Sequence, residues 1–150
     1  MRHDDPRLYP IYATCVDLGL FVTLLSYATL GPDISYASPF CIDKVAADFP
    51  DLQIVVTHGG WPLIDEVLTL VWRRKNVWVS PEGTLFMPGG QRWVEAVNFD
   101  GPLQNRYFYG TSYPGGPGIK EFLEDWKKLP WRDQEIEKEL HRNAARLLGL

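Results

Sequence analysis

Ten residues, Gln53-Ile-Val-Val-Thr-His-Gly-Gly-Trp-Pro62, restrict what this chain can fold into more than any other stretch. The apolar run from Ile54 to Val56 suits a strand covered on both faces, as in a parallel sheet. Gly59 and Gly60 break the run, and Pro62 stands where the first residue of a helix would stand. The order is strand, histidine, tight turn, helix. In parallel α/β proteins ligands bind outside the carboxyl ends of the strands, so His58 is predicted to face a pocket.

The rest of the chain repeats the alternation. Helical spacing covers Leu8–Leu18 (Leu8, Ile11, Tyr12, Cys15, Val16), and a short apolar strand covers Leu20–Leu25. A loop rich in Gly, Pro and Ser follows over 31–39. A helix is predicted over Phe40–Asp48 with Phe40, Ile42, Val45 and Ala46 on its apolar face. After the Gln53–Thr57 strand come a helix over Leu63–Arg74, a strand over Asn76–Ser80, and a helix over Gln91–Val97. A fourth strand is predicted over Arg106–Tyr109. Two helices close the chain, Ile119–Lys128 and Asp133–Leu148, the last with Ile136, Leu140, Ala144 and Leu147 in register. Four βα units with apolar strands imply a parallel sheet with crossover helices. They fit a small flavodoxin-like sheet or half of an eight-stranded barrel, since a whole barrel takes about 250 residues.

With 150 residues the chain is one domain's worth, 1–150, and long enough for a core. Fifteen basic residues against nineteen acidic ones give a net charge of −4, with no basic cluster beyond Arg73-Arg74-Lys75. Nothing here favours a nucleic-acid backbone. Cys15 and Cys41 lie in apolar-periodic stretches and are expected as reduced thiols. The N-terminal residues lack a signal-peptide apolar region, and the longest apolar run is far short of a membrane span. The expectation is a soluble, cytoplasmic protein.

Five motifs in one order carry a resemblance: Asp5-Pro-Arg-Leu-Tyr-Pro-Ile-Tyr12, Val45-Ala-Ala-Asp-Phe-Pro-Asp-Leu52, Thr57-His-Gly-Gly-Trp-Pro62, Gly110-Thr-Ser-Tyr-Pro114 and Asn143-Ala-Ala-Arg-Leu-Leu-Gly-Leu150. Together they resemble the C-terminal half of the amidohydrolase-related family, the branch of metal-dependent hydrolases that includes aminocarboxymuconate semialdehyde decarboxylase and aromatic-acid decarboxylases. The resemblance implies the second half of a (β/α)₈ TIM barrel and hydrolysis or non-oxidative decarboxylation of a small carboxylated or aromatic acid. It gives His58 the catalytic histidine's role. It also implies one divalent metal such as zinc, held by a His-x-His on the first strand, a histidine after the fifth and an aspartate after the eighth.

This chain departs from that metal set. Its histidines are His3, His58 and His141, with no His-x-His. The fifth-strand histidine falls near Leu25 or Ser26, and the eighth-strand aspartate is replaced by Ser112. A metal centre inside this chain is therefore not expected, since zinc takes imidazole, thiolate or carboxylate. His58 retains general acid–base capacity. Glu82 follows the third predicted strand, where it would either line the crevice and, by pairing with His58, raise its pKa, or stand as a solvated loop acid. Ser112 and Trp61 complete the candidate substrate contacts, although a turn serine and a core tryptophan would read the same way. His3 and His141 read as exposed. Four βα units leave two sheet edges and an apolar inner face bare. The alternative function is therefore a non-catalytic or assembly subunit, completed by a second copy or a complementary chain.

Overall fold

The computed structural model describes residues 1–150. Strands β1 (Val22–Leu25), β2 (Ile54–Thr57) and β3 (Val77–Ser80) form a parallel sheet in sequence order. Its register pairs Val22 with Ile54 and Thr57 with Ser80. Helices α1 (Tyr9–Asp17), α2 (Pro39–Asp48), α3 (Ile64–Arg73), α4 (Gln91–Asn98) and α5 (Ile119–Lys127) connect and follow the strands. Local chemistry sets several boundaries. The Asp5 side chain accepts from the Arg7 amide at the turn leading into α1, and Ser38 Oγ accepts from the Phe40 amide at the start of α2. Buried Asn76 donates from its side chain to the carbonyls of Ala46, Phe49 and Leu52, fixing the end of α2 against the start of β3.

Alternation along the strands separates two faces. Ile54, Val56, Val77 and Val79 are fully buried against Ile42 and Val45 of α2 and Val67 and Val71 of α3. Thr23, Val55, Thr57, Trp78 and Ser80 face the other way, as the inner face of a half barrel. Helix α2 turns Cys41 into the core and leaves the predicted core residue Phe40 70% exposed.

The predicted fourth strand is a single bridge, Val79 to Tyr107. Val79 donates to the Arg106 carbonyl at 2.8 Å and accepts from the Phe108 amide at 3.1 Å. Pairing goes no further because the amides of Arg106 and Tyr107 are still bonded to the Leu103 carbonyl of the preceding turn. Gly110 follows three residues after Tyr107.

The last helix also differs from its periodicity. It runs as α6 (Asp133–Glu137), a π-turn (Lys138–Arg142) and α7 (Asn143–Leu148). Its buried stripe is Glu135, Glu139 and Asn143, whereas Ile136, Leu140, Ala144 and Leu147 are half-buried. This stripe packs against a strand edge that needs partners. The Glu139 carbonyl, within the π-turn, accepts from the Tyr109 amide at 2.8 Å, and Asn143 Nδ2 donates to the Tyr107 carbonyl at 2.7 Å. The terminal helix thus covers the edge opposite β3, so one of the two edges expected to be bare is not. Along the far edge of β1, His3 Nε2 lies 2.7 Å from the Leu25 carbonyl, which makes His3 half-buried rather than exposed. No helix is long and apolar enough to cross a membrane.

Candidate active site

The residues after β2 and β3 meet at the carboxyl end of the sheet. His58 and Glu82 follow those strands within one or two positions, and each adopts a left-handed backbone, with φ of 59° and 55°. Such conformations cost a non-glycine residue about 1–3 kcal/mol and cluster at functional sites. Gly59 and Gly60 continue the left-handed turn because side chains would not fit. A Cβ on Gly59 would lie 2.8 Å from the Trp93 ring, and one on Gly60 2.3 Å from Val67. Thr84 Oγ1, 2.9 Å from the His58 carbonyl, fastens the turn to the segment that carries Glu82.

The result is a contact between two titratable groups: His58 Nδ1 lies 3.1 Å from Glu82 Oε2. Burial pushes the Glu82 carboxyl up to about 7, with the Ser112 hydroxyl pulling it part of the way back. Burial also holds His58 below its ordinary value. Ion pairing would move both groups the other way, raising His58 as expected from the sequence. Both side chains are largely withdrawn from water, and desolvation of the charged forms wins. The neutral imidazole and the protonated carboxyl are the forms this site favours.

The other candidates surround this pair. Ser112 Oγ accepts from the Gly83 amide at 3.2 Å. Trp61 is half-buried, with its indole N–H donating to the Pro88 carbonyl at 3.0 Å. Its ring lies 5.8 Å from that of Tyr27, which in turn lies 5.4 Å from the His58 ring. Tyr27 was not identified from the sequence, although its place two residues after β1 is the same type of signal that singled out Glu82. Ser80 was also missed. It is buried with its hydroxyl unpartnered, and it sits under Gly110, where a Cβ would come within 2.3 Å. Ser26, at the expected fifth-strand position, donates to the Ala37 carbonyl at 2.8 Å and is closed to ligands.

Below the pair, an open slot of about 250 Å³ runs between the inner sheet face and the terminal helix, reaching Thr57, Ser80 and Glu82. The arrangement can bind a small molecule and pass it a proton.

The amidohydrolase family model matches residues 1–150. This chain belongs to the amidohydrolase family. No curated protein matches it. Among solved structures it is similar to an uncharacterized TIM-barrel protein from Bordetella bronchiseptica, at 43% identity and a TM-score of 0.91, covering 99% of this chain and 52% of that one. It also resembles dihydroxybenzoic acid decarboxylase from Polaromonas, with bound manganese and an inhibitor, 2-nitroresorcinol (13% identity, TM-score 0.72, covering 100% and 56%). An amidohydrolase from Burkholderia multivorans with bound zinc gives 15% identity and a TM-score of 0.71, covering 99% and 59%. The last two likenesses concern the fold. This amidohydrolase-family chain spans a little over half the length of these relatives, and its strands form the corresponding part of a barrel.

The metals of those relatives provide a test of the donors present here. No three His, Cys, Asp or Glu side chains of this chain lie together. The positions after the four strand segments hold Ser26, His58, Glu82 and Ser112. Two of these are hydroxyls, and the imidazole and carboxylate face each other. The side chains of this chain alone do not fit a three-ligand divalent site.

Proposed function

We propose that this amidohydrolase-family domain performs proton transfer in the non-oxidative decarboxylation of a small aromatic acid. His58 and Glu82 act as the acid–base pair, and Ser112 and Trp61 act as substrate contacts. The observation that carries the reading is the meeting of two left-handed residues, one after each of two neighbouring strands, with their side chains 3.1 Å apart. In the reaction the pair donates a proton to the ring carbon that bears the carboxylate. The carbon–carbon bond then breaks, its electrons restore the ring, and carbon dioxide leaves. The pair regains its proton from solvent, which His58 reaches with about a quarter of its side chain. A carboxyl titrating near 7 is suited to giving up a proton at neutral pH. Hydrolysis would need the same pair as a base toward water.

The test is carbon dioxide release from a panel of hydroxybenzoates. His58→Ala and Glu82→Gln should each lower turnover about 10²- to 10⁴-fold, the worth of positioned acid–base groups. The wild-type rate should fall as pH rises through about 7, where Glu82 loses its proton. Unchanged turnover of a confirmed substrate in His58→Ala would remove the catalytic assignment.

A second reading, an assembly subunit, is favoured by the outer edge of β1. The Val22 and Ser26 amides bond toward β2, so the amides of Thr23 and Leu25 point away from it, where no further strand pairs with β1. Under this reading a second copy or a complementary chain pairs there. Light scattering at micromolar concentration should then give a mass above 17.2 kDa. A monomer mass without hydrophobic-dye binding would exclude it.

A further inference from the structure

The slot beside the acid–base pair has its own chemistry. Its walls are Phe21 and Val55 from the sheet side, Phe108 from the bridge segment, and Ala144, Leu147 and Leu148 from the terminal helix. An apolar cavity of about 150 Å³ already accepts benzene, so about 250 Å³ suits one substituted ring.

Two polar features stand at the end nearest His58. Ser80 Oγ is buried without a partner, and Glu82 closes the corner. Gly110 leaves that corner open: its absent Cβ would lie 2.3 Å from Ser80 Oγ and 3.3 Å from Glu82 Cγ. A ring hydroxyl entering here would give Ser80 its missing hydrogen bond.

No lysine, arginine or histidine lines the slot. Arg146, on the covering helix, is stacked over Trp78 with its guanidinium carbon 4.9 Å from the ring centroid, and it also donates to the Asn105 carbonyl. The basic group beside Glu82 is His58, which burial holds toward its neutral form. A carboxylate taken into the slot would give up part of its water without gaining a counter-charge, and would face another carboxyl.

Building on the acid–base reading above, we propose that the slot seats a single uncharged hydroxylated ring and binds it more tightly than the same ring bearing a carboxylate. The site thus favours the decarboxylated product over the acid, and the charge disfavoured in the slot is the one that leaves as carbon dioxide.

The experiment compares phenol with benzoate, and resorcinol with 2,6-dihydroxybenzoate, by calorimetry and methyl NMR on the full chain at pH 8. The uncharged member of each pair should bind at least about tenfold tighter, the size of effect expected from one uncompensated charge. It should also shift the methyl signals of Val55, Leu147 and Leu148. Ser80→Ala should weaken phenol about five- to tenfold while leaving toluene within twofold, the loss of one hydrogen bond. Leu147→Trp should abolish the methyl shifts. Equal or tighter binding of the carboxylates, or shifts confined to other regions, would overturn the proposal. The two ideas fail separately. Phenol binding without any carbon dioxide release from the acids removes the decarboxylase reading alone. Carbon dioxide release with benzoate bound more tightly than phenol removes the slot proposal alone.

Discussion

At the scale of the residue, the candidate site rests on two side chains held where their backbones are disfavoured. His58 was legible because an apolar run ending in His-Gly-Gly leaves few alternatives to a strand end and a turn. Glu82 was legible only by its position after β3. Its left-handed backbone was not, because nothing in Ser80-Pro-Glu-Gly signals a positive φ on the glutamate rather than on Gly83. Tyr27 and Ser80 escaped notice because a tyrosine and a serine at strand ends carry no local pattern. The strain itself can be measured. His58→Ala and His58→Gly delete the same imidazole, but only glycine adopts φ of 59° freely. The glycine variant should be more stable than the alanine variant by about 1–2 kcal/mol, read from urea midpoints. Equal stabilities would mean that the turn relaxes once the imidazole is gone and that no strain is stored at this position.

At the scale of the element, the terminal helix is the place where periodicity and structure part. Ile136, Leu140, Ala144 and Leu147 form an apolar stripe that predicts the buried face, yet Glu135, Glu139 and Asn143 are the buried residues. Sequence spacing records what a helix can bury. It does not record that the neighbouring strand offers an amide at Tyr109, met by the Glu139 backbone carbonyl, and a carbonyl at Tyr107, met by the Asn143 side chain. Glu135 gains Lys138 Nζ at 3.1 Å, whereas both carboxyl oxygens of Glu139 are buried without partners.

Burial, reinforced by Glu135, pushes Glu139 up to about 9. The unfolded chain gives up this proton near the ordinary carboxylate value, while the folded chain keeps it to about 9. The folded state therefore binds more protons across that interval, and stability falls as pH rises through it. Glu82, raised to about 7, adds to the fall over the lower part of the range. Glu139→Leu should raise stability at pH 8 by about 1–4 kcal/mol and flatten the curve above pH 7, leaving the slope due to Glu82 below it. A midpoint unchanged at both pH 5 and pH 8 would show that Glu139 finds water or a partner in the folded state.

At the scale of the whole molecule, the two ends of the sheet are unequal, and this decides how copies can associate. The parallel βα pattern was readable from the sequence, as was its likeness to half of a barrel. The inequality was not, because it depends on how the terminal helix packs. If two copies closed one barrel, β1 of each would pair with the 106–109 segment of the other. That would displace the Glu139 carbonyl from the Tyr109 amide and the Asn143 side chain from the Tyr107 carbonyl. Stripping buried hydrogen-bond partners costs about 1–3 kcal/mol for each group left unsatisfied, and it would also lift Ala144 and Leu147 off the slot. Pairing β1 with β1 across a two-fold axis disturbs none of these contacts and displaces only His3 from the Leu25 carbonyl.

Association should accordingly run through β1, and amide exchange followed against protein concentration separates the two arrangements. The Thr23 and Leu25 amides should exchange rapidly in dilute protein and become protected as the mass rises above 17.2 kDa. The Tyr109 amide, held by the terminal helix at 2.8 Å, should stay equally protected throughout. If Tyr109 loses its protection and regains it on association, the helix yields to a partner strand and the barrel closes instead. If Thr23 stays unprotected at every concentration while the mass rises, the copies meet on another surface.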